Sequence, residues 1–423
     1  MKNKHFLQLG ILCLMLASSY AVEAKISAFG TLGGAVSDNK YTYQRFITDE
    51  GTLNRDSLFG AQTDISFNDE WSATIQGKVA PSDDSDNRWS PTLTWAFLSY
   101  RPTNDWLIRA GKIRMPLYLN SQNMDVGVTY DMARLPQEVY SLSPANDGLG
   151  AIVTKSFELE NGELSFDLFY AKANDKAYRF YTRDDLSMYG GYAKGVNFQK
   201  LDFETTGLTI NYETDENDKF RFGVYSAKVT KDGTGTAGNF TLQMASPTSP
   251  LYGYPYPFYQ PDGALDKSEA IAFTVGMDYG LGDGYRLTSE LAMRNMIGAD
   301  TGPNAKSGYI SVSKKIDKWT PYITVATLRA ENNVKNLYNN LDSDPINNVI
   351  PVNRQYSDMV VVSEQNSYTV GTSYSIAPLQ KIKAEWMHVD VGSYSNFLID
   401  NPNTERMGKQ TINVYSLSYN VSF

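Results

Sequence analysis

Residues 411–423 read TINVYSLSYNVSF, and this stretch decides the fold because it alternates strictly and ends on an aromatic residue. Aromatic or aliphatic side chains occupy every second position from Tyr415 to Phe423, with serine or asparagine between them. Successive residues of a β-strand point to opposite faces, so this strand has one apolar and one polar face. The pattern predicts a strand with lipid on one side and water on the other, the alternative being a half-buried edge strand of a soluble sandwich.

The amino-terminal end has the features of an export signal. Two lysines precede an apolar run at 6–17, which is too short to span a bilayer, and small residues at 21–24 suit cleavage. We expect cleavage after Ala24, with cleavage after Ala21 as the alternative. Together with the alternating end at Phe423, this resembles bacterial outer-membrane barrel proteins. We therefore predict a cleaved signal peptide at 1–24 and a single barrel domain at 25–423.

Cysteine and histidine usage restricts the chemistry of the exported chain. The sequence has one cysteine and two histidines, and Cys13 and His5 both lie in the expected leader. Only His388 would remain after cleavage. This excludes a disulfide, a catalytic thiol and a histidine metal cluster, so we expect no metal and no cofactor.

The composition favours β-structure at a membrane interface. The 423 residues include 29 Tyr, 19 Phe and 32 Gly. After the leader, no stretch approaches the roughly 18 to 20 consecutive apolar residues of a transmembrane helix. A membrane barrel distributes its apolar residues over alternate positions, so average hydropathy does not detect it. No nucleotide-binding loop or basic nucleic-acid surface is recognisable, so we expect no nucleic-acid partner.

Alternating segments along the chain predict sixteen strands. Short connections rich in turn residues alternate with long connections throughout. This predicts an all-β, transmembrane antiparallel barrel with short periplasmic turns and long extracellular loops, wide enough for an aqueous passage. The strands are predicted near 26–36, 58–67, 71–80, 91–100, 106–115, 148–157, 163–172, 203–213, 219–229, 270–280, 285–294, 306–316, 319–329, 366–376, 379–389 and 411–423.

The same alternation assigns side chains to the inside of the barrel. Trp71, Trp106, Tyr285 and Trp319 each open a strand after a short turn, where an aromatic girdle would lie, and residues out of phase with the lipid face point inward. Basic residues predominate among the inward set although the formal net charge of the chain is −9, so we predict a weak preference for anions. The candidate pore-wall residues are Lys78, Arg109, Arg221, Arg286, Glu290, Arg294 and Lys383.

The segment 111–116 reads GKIRMP and leads into a long third loop at 116–147. A strand that ends in Gly-Lys-x-Arg-x-Pro before such a loop resembles the Gram-negative outer-membrane porin family, whose substrate-selective members read Gly-Arg-x-x-x-Pro there. The resemblance implies that the third loop folds into the barrel and narrows it, and that the barrels form homotrimers. The acidic Pro-Glu-Phe-Gly-Gly signature of general diffusion porins is absent from this loop.

The resemblance also implies which residues form the pore constriction. Charges on the third loop opposite a basic wall would create a transverse field that favours polar solutes over apolar ones. Ordinary salt bridges that stiffen the loop are the alternative. The implied constriction residues are Asp125, Asp131, Arg134 and Glu138, and the wall residues expected opposite them are Arg109, Arg221 and Arg286.

These features predict an outer-membrane porin for passive diffusion of small hydrophilic solutes and ions. Its expected partners are those solutes, outer-membrane lipid and lipopolysaccharide, which acidic loops could contact through divalent cations. Two alternatives stay open. One is a sugar-selective porin, in which the Tyr- and Pro-rich stretch 246–261 stacks on sugar rings; otherwise this stretch packs as a stiff loop. The other is a barrel enzyme built around His388. A soluble lectin-like sandwich is a further alternative.

Overall fold

The computed structural model of the protein describes residues 22–231, 239–249, 251–261, 268–299, 302–393, 399–400 and 408–423. Sixteen strands in these residues pair antiparallel in sequence order and close into a barrel. The strands are β1 Glu23–Ser37, β2 Leu58–Ser66, β3 Trp71–Pro81, β4 Trp89–Thr103, β5 Trp106–Arg114, β6 Asp147–Leu159, β7 Gly162–Thr182, β8 Gly195–Thr214, β9 Lys219–Thr230, β10 Ser268–Gly282, β11 Tyr285–Ile297, β12 Ala305–Lys314, β13 Trp319–Ala330, β14 Glu364–Ala377, β15 Gln380–Val391 and β16 Gln410–Ser422.

Closure depends on the alternating carboxyl-terminal stretch. Strand β16 pairs with β15 on one side and with β1 on the other, where Leu32 lies opposite Tyr419. Every strand therefore has a neighbour on both sides, which satisfies the backbone amides that would otherwise be exposed to hydrocarbon. The predicted sixteen-stranded all-β transmembrane barrel is confirmed.

The predicted strand bounds agree with the structure to within three residues for fourteen strands. The two exceptions are β7 and β8, which continue beyond the expected ends at 172 and 203 to form a long hairpin. The expected leader at 1–21 lies outside the described residues. Strand β1 begins at Glu23, so the two residues before the expected cleavage point pair with β2, and the cleavage site stays a prediction.

The outer surface of the barrel is apolar, as the alternation predicts. Leu291, Ile310 and Ile323 are each more than half exposed on neighbouring strands. At the short-turn rim the ring of Trp71 stacks on Tyr100 with centroids 4.4 Å apart, which agrees with an aromatic girdle. None of the helices in the described residues is both long and apolar enough to cross a bilayer.

The long loops contain short helices and strands of their own. The helices are α1 Gln137–Tyr140, α2 Asn332–Asp342 and α3 Val352–Met359, with single 3-10 turns at Gly127–Thr129, Ser187–Tyr189 and Pro345–Asn348. Two strand pairs lie outside the barrel sheet, namely Thr42–Tyr43 with Ile399–Asp400 and Phe240–Gln243 with Phe258–Pro261. Helix α2 packs its apolar face, including Val334 and Leu341, against its own loop and against Phe240 and Tyr259 of the loop between β9 and β10.

The third loop, residues 115–146 between β5 and β6, lies inside the barrel. The carbonyl of Leu117 accepts a hydrogen bond from Thr274 on β10 (3.0 Å), and the tyrosine hydroxyl of Tyr322 on β13 accepts one from the Ala133 amide (2.9 Å). At Gly127 the loop lies so close to β16 that a β-carbon would collide with the Asn420 side chain, which requires glycine there. The loop therefore contacts several walls, which confirms its predicted position inside the barrel.

Candidate functional site

Asp125 joins the third loop to two basic residues of the barrel wall. Its carboxylate lies 2.7 Å from Lys78 Nζ on β3 and 2.6 Å from Arg114 Nη2 at the end of β5. Burial disfavours ionisation of Asp125, but the two adjacent cations outweigh it and lower its pKa. Arg114 is the arginine of the GKIRMP motif, so the motif itself contained a signal for this partner. The preceding Gly111 has a φ of +137°, which favours glycine at that position.

Asp131 attaches the loop to strands β14 and β15, and Arg134 attaches it to the loop between β1 and β2. Asp131 accepts hydrogen bonds from Lys381 Nζ (2.7 Å) and Ser373 Oγ (2.6 Å). The Arg134 guanidinium makes two bonds to Asp56, of 2.7 and 2.8 Å. Burial opposes ionisation of Asp131 and Asp56, yet the neighbouring cations lower the pKa of both carboxyls. Both pairs are therefore charged and fix the loop in place.

Glu138 is held differently from the other three loop residues. Its Oε1 accepts hydrogen bonds from Gln365 Nε2 and Ser367 Oγ on β14, each 2.6 Å long. Among the described residues no cation lies within ion-pair distance of this buried carboxyl. Burial raises the pKa of Glu138, and the hydrogen bonds only partly oppose this. Glu138 is thus a buried anchor rather than a charge presented to the passage.

Several predicted wall residues bind the backbone or neutral groups of the third loop. Glu290 accepts hydrogen bonds from the Leu119 amide (2.9 Å) and the Tyr140 hydroxyl (2.5 Å). Lys383 donates to the Met132 carbonyl at 2.8 Å. Arg221 donates to the carbonyl of Pro116, and Arg294 donates to that of Leu142. The inward face of these residues was predicted, and their role is to hold the loop.

Two of the wall residues that were expected to face the loop charges, Arg286 and Arg109, lie away from the loop. Arg286 pairs with Asp278 (3.1 Å) near the short-turn rim, and Arg109 interacts electrostatically with Asp167 of β7. Neither these two arginines nor Arg221 pairs with the loop charges, whose partners are described above. The physical reason is that alternation gives the face of a strand on which a residue lies but not its height along the barrel.

On the side of the third loop that faces the long extracellular loops, the barrel contains an open cavity of about 1140 Å³. Its lining has more basic than acidic side chains. The basic lining residues are Arg45, Arg55, Lys78, Arg114, Arg134, Lys176, Arg179, Lys231 and Arg294, and the acidic ones are Asp56, Asp83, Asp125 and Asp147. We call this cavity the vestibule.

Carboxylates around the vestibule are shared between two cations. Asp125 is one case, because both Lys78 and Arg114 contact it. The same arrangement recurs at Asp86, which lies 2.5 Å from Arg45 and 3.0 Å from Arg179, and at Asp147, which lies 3.4 Å from Lys176 and 4.0 Å from Lys112. One carboxylate cannot neutralise two cations, so the clusters at Asp125 and Asp147 each carry more positive than negative charge. Sequence reasoning missed them because the partners come from different loops and strands.

The Tyr- and Pro-rich stretch is built mainly as packed loop structure. Phe258 is buried and packs edge-on against Tyr254 at 5.8 Å, while Tyr259 packs against the helix α2 cluster. Tyr252 and Tyr256 are exposed. None of the described residues at 246–261 lines the vestibule. This arrangement favours packing over sugar stacking for this stretch.

His388 lies on the outer face of β15, away from the vestibule. Its ring nitrogen is 2.9 Å from Asn413 Oδ1, and its ring centroid is 6.4 Å from those of Tyr368 and Trp386. These neighbours give His388 an aromatic, interfacial setting. Within the described ranges, no group of three or more His, Cys, Asp or Glu residues is arranged to hold a metal ion.

Comparison with solved structures supports the barrel fold described above. No protein-family model matches the sequence, and no curated protein matches it. Among solved structures, OmpT of Vibrio cholerae, an outer membrane protein described in its trimer form, is similar with a TM-score of 0.52 and 10% identity over 96% of this chain and 100% of that one. The outer membrane channel DcaP of Acinetobacter baumannii gives 0.51 and 10% over 96% and 99%, and an anion-selective porin from Comamonas acidovorans gives 0.50 and 11% over 95% and 100%. This chain therefore has the sixteen-stranded fold of the Gram-negative outer-membrane porins.

Proposed function

We propose that this protein is an outer-membrane porin that lets small hydrophilic solutes and ions diffuse passively, with a preference for anions. The observation that carries the proposal is the vestibule, a wide opening inside a closed barrel, lined by nine basic and four acidic side chains and bounded by the third loop. Sixteen strands give a barrel wide enough for an aqueous passage, unlike smaller barrels that their own side chains fill.

The constriction of this porin is the third loop, with Asp125, Asp131, Arg134 and Glu138 as its charged and buried anchors. Because the first three pair directly with opposite charges on the wall or on the loop between β1 and β2, the third loop does not present a bare acidic face to solutes. The clusters at Asp125 and Asp147, in which two cations share one carboxylate, leave positive charge along the vestibule. Positive charge in a narrow cleft with low-dielectric walls raises the local concentration of anions.

We also propose which partners surround the barrel in the outer membrane. An apolar outer face bordered by aromatic rings suits outer-membrane lipid, and the acidic outer loops suit cation-bridged contact with lipopolysaccharide. A homotrimer is the expected assembly, and the trimer form described for OmpT supports it by analogy of fold alone. The preference for anions is supported in the same way by the porin from Comamonas acidovorans, which is described as anion-selective. The porin role needs no catalytic group or cofactor.

The reversal potential of the channel under a potassium chloride gradient tests this proposal. We expect it to lie towards the chloride equilibrium potential, and a value towards the potassium potential would overturn the anion preference. Lys176→Gln removes a cation from the cluster at Asp147 and should move the reversal potential towards zero. The matched control is Lys200→Gln on the same hairpin, where the lysine is well exposed and does not line the vestibule; it should leave the reversal potential unchanged.

A further inference from the structure

Arg294 differs from the other basic residues of the third-loop site in its partners. Its guanidinium donates only to backbone carbonyls, to Pro303 O from Nε (3.0 Å) and from Nη2 (2.7 Å) and to Leu142 O from Nη1. Among the described residues no carboxylate lies within ion-pair distance of it. Lys78, Arg114 and Arg134 each have such a partner. The charge of Arg294 is thus uncompensated at a half-buried position on the vestibule wall.

The guanidinium of Arg294 keeps hydrogen-bonding capacity towards the vestibule. An arginine has five N–H donors, and three of them are used in the bonds to the two carbonyls. One donor remains on each of Nη1 and Nη2. A carboxylate suits these two donors, because charge attraction and hydrogen bonding act together.

Beside Arg294 the vestibule wall forms a recess made by small side chains. Ala227 on β9 lies opposite Ala270 on β10, and Ala270 lies opposite Met296 on β11; all three line the vestibule. Neighbouring strands are about 4.8 Å apart, so two adjacent alanines leave a shallow space about as wide as an aromatic ring. The floor of the recess is apolar. Arg294 lies next to it, because Arg294 precedes Met296 by two residues on the same inward face of β11.

Aromatic rings border this recess on its other side. Tyr225 on β9 and Arg294 on β11 are both register partners of Ala272 on β10, so only one small side chain separates them. Tyr225 and Tyr178 lie close enough to Arg294 to interact with it electrostatically. Phe203 lines the vestibule one strand further on, at the level of Val229. Tyr225 and Phe203 are 8% and 7% exposed, so a ligand bound to Arg294 would pack against the small part of each ring that reaches the vestibule.

We propose that the recess over Ala227 and Ala270 is a binding subsite for organic anions that carry an aromatic body, with the carboxylate on Arg294 and the ring against Tyr225 and Phe203. This inference rests on the proposed porin function and names a solute class for its vestibule. Small inorganic anions would pass the same site without the apolar contacts. The subsite thus makes the channel a better path for aromatic carboxylates than its positive charge alone would.

Block of single-channel chloride current by benzoate, with acetate as the non-aromatic comparison, tests the subsite. For the wild-type protein we expect benzoate to reduce the current at lower concentration than acetate and in a saturable manner. Arg294→Gln should raise the half-blocking benzoate concentration by about tenfold, as expected for loss of a charge-assisted hydrogen bond. The matched control is Arg329→Gln on the outer face of β13, which should not change the block.

A second variant separates binding from the structural role of Arg294 in holding Leu142 and Pro303. Ala270→Leu fills the recess but keeps the guanidinium and its bonds, so it should weaken block by benzoate and leave block by acetate unchanged. The subsite is refuted if benzoate and acetate block the wild-type channel equally, or if Ala270→Leu responds to benzoate as the wild type does. A protein that inserts but passes no chloride would instead refute the porin function itself.

Discussion

At the residue scale, the third loop is fixed by charges that each find a specific partner. Asp125 and Asp131 contact opposite charges on the wall, and Arg134 contacts Asp56 of the loop between β1 and β2, all at 2.6 to 2.8 Å. Inside a protein such pairs are costly to break, because removing one partner leaves a buried charge without compensation, at about 3–5 kcal/mol. The loop position, and with it the width of the passage, therefore depends on a few named side chains.

Replacing Asp125 with Asn should increase the preference for anions. The change leaves Lys78 and Arg114 without their shared carboxylate, so the positive potential at the constriction rises. We expect the chloride-to-potassium permeability ratio, measured from the reversal potential, to rise by about threefold. Glu160→Gln removes an equal charge from an exposed short turn and is the control. An unchanged ratio in folded Asp125→Asn protein would contradict this role.

Replacing Glu138 with Gln should stabilise the barrel at high pH but not at low pH. Burial raises the pKa of Glu138 above its unfolded value, so its contribution to stability is complete at pH 4 and is lost as the pH rises through the folded-state pKa. Gln cannot ionise, so the variant should gain about 1–3 kcal/mol relative to wild type at pH 8.

The measurement for Glu138→Gln is the free energy of unfolding in urea from lipid vesicles at pH 4 and pH 8. Glu160→Gln, at an exposed position, should show no such difference between the two pH values. Equal effects of Glu138→Gln at both pH values would show that the buried carboxyl is not the source of the pH dependence.

The sequence predicts on which face of its strand a residue lies, but it does not predict the height of that residue along the barrel axis. Alternation predicts the inner face for Lys78 and Glu290, because a strand residue has only two faces to choose from, and both residues contact the third loop. It could not pair Asp125 with Arg114, since the height of each side chain depends on strand stagger and on the path of the loop. It likewise placed Arg286 opposite the loop, although this residue lies at the short-turn rim.

At the element scale, strands within the bilayer were predictable and the extracellular structures were not. Alternation is imposed by lipid on one face, so β13 and β16 could be read directly from sequence. The upper parts of β7 and β8 leave the membrane and have no such constraint, so they were read as loop. Alternation does not predict helices α2 and α3 either, because their apolar faces pack against other loop residues, including Phe240 and Tyr259 between β9 and β10, and not against lipid.

The hairpin β7–β8 is tied to helix α3 by Arg183. Its Nε lies 2.6 Å from Asp358, and its Nη2 contacts Asp342 and donates to Ser357 at 2.9 Å. Burial raises the pKa of Asp358 to about 6, although Arg183 opposes this. The arginine thus holds together two acidic groups that would otherwise repel each other.

Arg183→Gln should release the loop that contains α2 and α3 while leaving the barrel folded. We expect protease cleavage within 331–363 to become about tenfold faster at pH 8, where Asp358 is ionised, and to change less at pH 5, where it is mostly protonated. Lys200→Gln, in an exposed pair on the same hairpin, is the control. Equal cleavage of wild type and Arg183→Gln at pH 8 would contradict the proposed tie.

At the scale of the whole molecule, an apolar exterior and a closed sheet act together. The exterior provides affinity for lipid, and closure removes the unpaired backbone groups that lipid does not tolerate. The interior can then be polar and charged without cost to membrane insertion. This division explains why average hydropathy gives no sign of the membrane, whereas the position of each residue within its strand does.

A charge on the outer face in the middle of a strand should destabilise the barrel in its membrane. Val325 is about half exposed near the centre of β13, so Val325→Arg should cost about 2–4 kcal/mol of unfolding free energy in lipid vesicles. Thr327→Arg lies on the same face but nearer the strand end and should cost about 0–1 kcal/mol. Equal costs at both positions would mean that β13 does not cross hydrocarbon as described.

The central claim is that the barrel encloses water, and conductance tests it most directly. Purified, folded protein inserted into a planar bilayer with symmetric potassium chloride should give discrete current steps that scale linearly with voltage. Protein that is shown to be folded and inserted, by heat-dependent gel migration and protection from protease, but gives no steps above the bare bilayer would contradict the account.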